Sequence, residues 1–366
     1  MCKTVIQQVL LCAFLLCAIG ISAQHQIEHP ASDLNYDQIY AYGVDANITP
    51  AIDLLQRSGS ELSAKDQAFQ ERFLARFVEG KPPESDAEIQ HEQIQELLRI
   101  FQSYWRKSML DTTQNFDAYL ASKVGPFLKK NYPPVKDITI ERDSIGYILS
   151  RYVHSQGFYT TKKVGKTGRL VDLPIWRTQL DTVYTFDLHK DQIKVPVAMM
   201  KNFISLGWIQ YATLGRHYPG GWATKDTLFC VRQAYDLNSE NFQISYLAHE
   251  GKHLDDYRHF PALKSRDLEY RAKLTELSLA DESLFGLISF FIHQSNKASK
   301  NPHQFANYCL IRDLSKQLFN KDFEDNPEQW QKMEKAKINK AALRLLKRNT
   351  RQLQKQGEEV ETILTP

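Results

Sequence analysis

From Ser63 to about Lys130 the apolar residues recur at three- and four-residue spacing, the period of helices with one buried face. "DQAFQERFLARFV" and the longer "AEIQHEQIQELLRIFQSYWRKSML" carry that period, and Pro82-Pro83 separates them. "NFDAYLASKVGPFLKK" predicts a further helix before "NYPPVKD" breaks the run. Residues 24–60 are mixed and polar and read as loop. Between 137 and 236 the texture changes. "ITIERDSIGYILSRYV", "DTVYTFDLH" and "DTLFCVRQAYD" are rich in β-branched and aromatic residues bounded by turn formers, which predicts strands. Inside that region "VAMMKNFISLGWIQYATL" reads as a buried helix and "GRHYPGGWATKD" as a glycine-rich loop. After Asn238 the pattern is helical almost to the end, with no internal repeat.

Two stretches stand apart from this pattern. The first 23 residues combine Lys3, the apolar run "VLLCAFLLCAIGI" and a small-residue end at Ala23, the layout of a cleaved secretory signal. A retained anchor is the alternative. Lipid attachment at Cys17 is disfavoured by the bulk of Leu16 before it. No later segment approaches the apolar length of a spanning helix, so no stable membrane span is expected after cleavage. The second stretch, Lys332 to Gln356, is strongly basic, with a narrow stripe of Ile338, Ala342, Leu345 and Leu346. It reads as a packed helix with a solvated basic face, contact with an anionic surface being the alternative.

Composition adds bounds. With 42% apolar and 24% charged residues the chain is of ordinary globular make-up, and a net charge of +3 gives no electrostatic reason to expect nucleic acid as a partner. Three of the five cysteines lie in the leader. The remaining Cys230 and Cys309 form either one disulfide or two buried thiols.

The chemistry concentrates at "HEGKH", residues 249–253. On a helix, positions four apart share a face, so His249 and His253 point the same way and can hold one ion. Glu250, one step round, reaches a water on that ion without joining its ligands, the place of a general base. "NFQISYLAHEGKHLDDY" supports a helix, with Asn238 or Ser239 as its cap. Gly251 opposes it by about 1 kcal/mol relative to alanine, and its missing side chain permits close packing by a neighbour. "HEQIQ" at His91 shares only the first two letters and reads as plain helix.

A zinc site that does chemistry needs a third protein ligand and an open fourth position. "DLEYRAKLTELSLADESL" offers Glu269, sixteen residues after His253, with Glu276 on the same face. Glu269 is the first choice and Glu276 the second, the other then orienting a ligand imidazole. Asp256 competes for that orienting role. Taken singly, each acid has a plainer reading as a solvated helix charge. Donors for an oxyanion are sought in His303, Tyr308, Tyr270 and His293, with His303 first because its stretch can fold back over the site. His217 and Trp222 are candidates to line a cleft entrance, though a tight turn accounts for Gly220-Gly221 as well.

"AHEGKH" followed by "EYRA" resembles the gluzincin metallopeptidases, which pair HExxH with a downstream glutamate; the likeness covers roughly residues 220 to 310. It implies an α+β, predominantly helical, zincin-like catalytic domain. Within it His249, His253 and Glu269 hold zinc and Glu250 is the base. A small sheet is implied too, its edge strand preceding the HExxH helix and pairing with the substrate backbone; "DTLFCVRQAYD" fits that strand. The family's frequent acid four residues after the ligand glutamate is replaced by Lys273, which puts the shell around the ligands in doubt and keeps Glu276 open. The expected organisation is a signal peptide at 1–23, a helical region at 24–135, the catalytic domain at 136–325 and a basic helical tail at 326–366. The expected function is an extracytoplasmic zinc hydrolase acting on a peptide or protein. A non-catalytic envelope protein with a vestigial or structural metal site is the rival.

Overall fold

The computed structural model describes residues 34–58, 62–84, 89–141, 143–188, 191–224 and 226–365. The expected signal peptide lies outside them. The described chain is mixed α and β and mostly helical, and it divides into two compact units. One holds residues 34–180 and 200–222, the other 181–199 and 223–365. Those bounds differ from the expected ones. All described residues of 136–180, together with 200–222, go with the helical N-terminal region, and the basic C-terminal segment goes with the site-bearing unit.

In the first unit, α1 (Tyr36–Val44) and α2 (Thr49–Arg57) occupy a stretch expected to be loop. Their starts are encoded locally. Asn35 accepts a hydrogen bond from the Gln38 N–H, and Pro50 sits in the first turn of α2. α3 (Ala64–Leu74), capped by Ser63, runs into a π-helical turn over 75–79, and Gly80 at φ +76° ends it. α4 (Glu92–Leu110) buries Ile94, Leu97, Leu98, Phe101, Trp105 and Met109, the expected three- and four-residue stripe. His91, in the incomplete motif, is the cap of this helix: its ring nitrogen accepts from the Ile94 N–H. α5 (Asp117–Asn131) follows as the pattern predicts.

α6 (Ile145–Ser155) overturns the strand expected from "ITIERDSIGYILSRYV". Its β-branched content favours a strand. Ile145, Ile148, Leu149, Tyr152 and Val153 nevertheless keep helical spacing, and Leu149, Tyr152 and Val153 are buried. Packing of that face outweighs intrinsic preference.

β1 (Lys166–Thr167) and β2 (Leu170–Val171) form a small antiparallel pair. β3 (Pro174–Leu188) and β4 (Asp191–Leu206) are long and separated by two residues, a connection that only antiparallel neighbours allow. β4 and the short α7 (Trp208–Ala212) replace the buried helix expected over 197–214. Gly207, at φ +93°, makes the corner between them. A Cβ there would sit 2.1 Å from Asp172, which accepts the Trp208 N–H.

β5 (Gly221–Ala223) and β6 (Leu228–Val231) complete a sheet of order β3-β4-β6-β5. The strand before the HExxH segment is therefore interior, between β4 and β5. This corrects the expected edge strand: the edge positions belong to β3 and β5.

In the second unit a π-helix over 241–248 leads straight into α8 (His249–His259). The His249 N–H donates to Ile244 O, five residues back. α9 (Ser265–Leu279), α10 (Leu284–His293), α11 (Pro302–Phe319), the short α12 (Pro327–Gln331) and α13 (Lys335–Gln356) follow. α9 is the central rod, packed by α8, α11 and α13. Residues 267–277 are all buried, although more than half of them are polar or charged. α13 buries Ile338, Ala341, Ala342, Leu345, Leu346, Asn349 and Leu353, so the basic segment is a core helix with a charged outer side. Each unit has its own apolar core, around α4 in the first and around α9 to α13 with the β3–β4 hairpin in the second. Cys230 and Cys309 are buried free thiols, each pushed by burial up to about 12.

Candidate metal centre

α8 sets His249 and His253 one turn apart on the side that faces α9, where Glu269 meets them. Their Nε2 atoms are 3.1 Å apart. Glu269 brings Oε1 to 3.3 Å from His253 Nε2 and Oε2 to 3.7 Å from His249 Nε2. All three side chains are buried. The spacing suits one small cation: two donors at zinc's usual ligand distance, at the tetrahedral angle, lie ~3.3 Å apart.

Gly251 makes room for this helix. A Cβ there would lie 2.7 Å from both Phe186 Cε1 and Val195 Cγ2, so the β3–β4 hairpin packs directly onto the α8 backbone. The glycine that weakens the helix in isolation lets the sheet cover it.

Glu276 accepts from His249 Nδ1 at 2.5 Å. A carboxylate on Nδ1 fixes the tautomer that leaves the Nε2 lone pair free for a cation. Of the two acids left open by the sequence, Glu269 meets both imidazole Nε2 atoms and Glu276 orients one ring. Asp256, the competitor for that orienting role, goes elsewhere. It receives both arms of the Arg271 guanidinium, at 2.7 and 2.8 Å, and Lys252 at 2.8 Å. Arg271 also donates to Asn349 and Thr350 on α13. These residues tie the two ligand-bearing helices to the C-terminal helix, a role that sequence spacing alone did not reveal.

Glu250 is 1% exposed, and neither carboxylate oxygen has a hydrogen-bond partner. Burial raises its pKa, while His253 and His249 pull the other way. For Glu269, burial is outweighed by hydrogen bonds from His253 and His303 and by the Lys273 charge, which hold it well below the usual carboxylate range. For His249, burial favours the neutral ring, but Glu276, Glu269 and Glu250 together raise its pKa. Unpartnered buried carboxylates are costly and rare, so Glu250 calls for an explanation outside packing.

His303 does fold back to the site. Asn301 caps α11 and Pro302 starts it, which delivers His303 Nδ1 to 2.8 Å from Glu269 Oε2. That nitrogen is engaged by the carboxylate rather than held open for an oxyanion. Among the other candidates, Tyr270 is buried and donates to Asp313, Tyr308 stacks on Phe323, and His293 is exposed at the end of α10. His217 and Trp222 belong to the other unit. Lys273 is buried, with Nζ 3.6 Å from Glu269 Oε2.

Compared with known proteins, the chain matches no family model, no curated protein and no solved structure. Among the described residues no helix is long and apolar enough to cross a membrane.

Proposed function

We propose that the protein is an exported zinc-dependent hydrolase with a zincin-like catalytic domain, acting on peptide bonds. The observation that carries this is Glu250, a buried carboxylate without a partner, next to three convergent side chains whose donor atoms lie within 4.8 Å of one another. His249, His253 and Glu269 would hold the metal, and Glu276 keeps His249 in the metal-ready tautomer. Bound zinc would supply Lewis acidity and bring a water's pKa to about 7. Glu250 takes the proton from the attacking water and returns it to the leaving amine. Its burial supports that work, because a carboxylate disfavoured in its charged form accepts a proton nearer neutrality. Peptide as substrate class rests on the likeness of "AHEGKH" and "EYRA" to the gluzincins; β6 is interior and has no free edge for a substrate backbone. Export rests on the leader composition.

The experiment is metal analysis of the purified mature protein with a peptide-library assay, alongside Glu250→Gln. About one zinc per chain is expected in both proteins, with chelator-sensitive cleavage in the parent and none in the variant. Retained cleavage in Glu250→Gln overturns the scheme.

One observation favours a second reading, a non-catalytic envelope protein with a structural metal. His249, Glu250, His253 and Glu269 are each no more than 2% exposed. A stoichiometric metal with no cleavage of any library member would establish that reading.

A further inference from the structure

We infer that His303, in contact with one oxygen of Glu269, and Lys273, whose ammonium faces the same oxygen as an ion pair, are positioning residues that engage that oxygen. The carboxylate then offers a cation a single oxygen, and the centre favours imidazole-seeking metals over oxygen-seeking ones. This rests on the metal-centre reading above and deepens it. Glu269 Oε2 lies 2.8 Å from His303 Nδ1 and 3.6 Å from Lys273 Nζ, while Oε1 is the oxygen nearest His253, at 3.3 Å. The two groups come from different helices and are held independently. Lys273 lies one turn after Glu269 on α9, with its ammonium 4.9 Å from the Phe291 ring centre. His303 is fixed by the capped first turn of α11.

A carboxylate can bind a metal through one oxygen or both. Zinc and cobalt are satisfied by a few nitrogen and oxygen donors at short range, whereas manganese and calcium call for more oxygens. Taking Oε2 out of play lowers the oxygen count. The ammonium beside Oε2 also competes with any cation for that oxygen. Glu276 orients the His249 imidazole, which leaves position 273 to act on the ligand carboxylate.

The test uses the metal-free full-length mature chain titrated separately with cobalt(II) and manganese(II), comparing the parent with Lys273→Met and with His303→Ala. The parent is expected to give the intense visible absorption of low-coordinate cobalt and to bind manganese weakly. In each variant the freed oxygen should weaken the cobalt band and raise the manganese-to-cobalt affinity ratio by about tenfold, the scale on which outer partners act. Unchanged bands and an unchanged ratio in both variants overturn the inference while leaving the centre intact. A parent that binds neither cobalt nor manganese overturns the centre itself. His303 is 29% exposed while Lys273 is buried, so His303→Ala disturbs packing less and decides the matter if Lys273→Met does not fold.

Discussion

In the unit of residues 34–180 and 200–222, the described charged side chains that are buried are Asp66 and Asp172. Both are absorbed by local structure. Asp66 accepts from Tyr36 and Ser63, and Asp172 accepts the Leu173 and Trp208 N–H groups. The other unit buries His249, Glu250, Lys252, His253, Asp256, Asp267, Glu269, Arg271, Lys273 and Glu276 on two adjacent helices. Both units have apolar cores large enough to fold around, so the second does not need these groups for collapse. Buried charge is weak support for stability, because desolvation cancels much of the attraction. The contrast teaches where the proposed chemistry would sit: paired buried charges and one unpaired carboxylate are concentrated on two helices of one unit and are lacking among the described residues of the other.

The sharpest way to break that contrast is Glu250→Gln. Cleavage should fall roughly a hundred- to ten-thousand-fold, the range for loss of a general base. Chemical denaturation should show stability unchanged or increased, since an unpartnered buried charge is removed. A clear loss of stability would make Glu250 an ordinary structural residue.

Asp256→Asn comes next, at about 3–5 kcal/mol lost at neutral pH, because Arg271 and Lys252 are left buried and short of their partner. Its pH dependence sharpens the comparison further. Burial alone would raise the Asp256 pKa, but Lys252 and Arg271 lower it to about 2. Its contribution is therefore complete above the unfolded value of about 3.9 and disappears as pH falls toward 2. Asp172 runs the other way, raised by burial to about 6. Stability that it leaves intact at low pH declines as pH rises from about 4 to 6. The penalty of Asp256→Asn should thus grow with pH across its window and that of Asp172→Asn should shrink. Denaturant titrations at several pH values check both slopes, and equal slopes would refute the contrast.

Stripping metal should cost less. A ligand present at a hundred times its dissociation constant adds about 2.7 kcal/mol, so a chelator should lower the thermal midpoint and zinc should restore it. The smallest effect expected is Gly251→Ala. Alanine gains about 1 kcal/mol of helix preference, but its Cβ meets Phe186 and Val195 at 2.7 Å. Overpacking costs about 1–3 kcal/mol, leaving a net loss of at most about 2. A stabilised variant would mean that the hairpin is free to withdraw.

Much of the centre was legible because helix periodicity converts spacing into position. His249 and His253 needed only i and i+4. Glu269 needed a second helix with acids on one face. His303 was reachable from a capped helix start. What stayed hidden depended on partners distant in sequence. "DLEYRAKLTEL" has the composition of a solvated helix, and only the packing of α8, α11 and α13 around it turns its charges inward. Arg271 meeting Asn349 is a contact between residues 78 apart, and no local pattern encodes it. The strand and helix misreadings have a similar cause. An unbroken apolar run such as "VAMMKNFISL" lacks a period, so β4 could not be told from a buried helix. In α6 the helical period and the β-branched content point in opposite directions, and the buried face at Leu149, Tyr152 and Val153 decides for the helix.

The π-helix over 241–248 carries a consequence for how this chain tolerates changes in length. Its wide turns hold a surplus residue relative to an α-helix of the same rise. A descendant that lost one residue there could tighten to ordinary α-helical turns and still present His249 in the same direction. Between His249 and His253 no such slack exists. Gains and losses of residues are expected to accumulate on the N-terminal flank of the five-residue motif and to be purged within it.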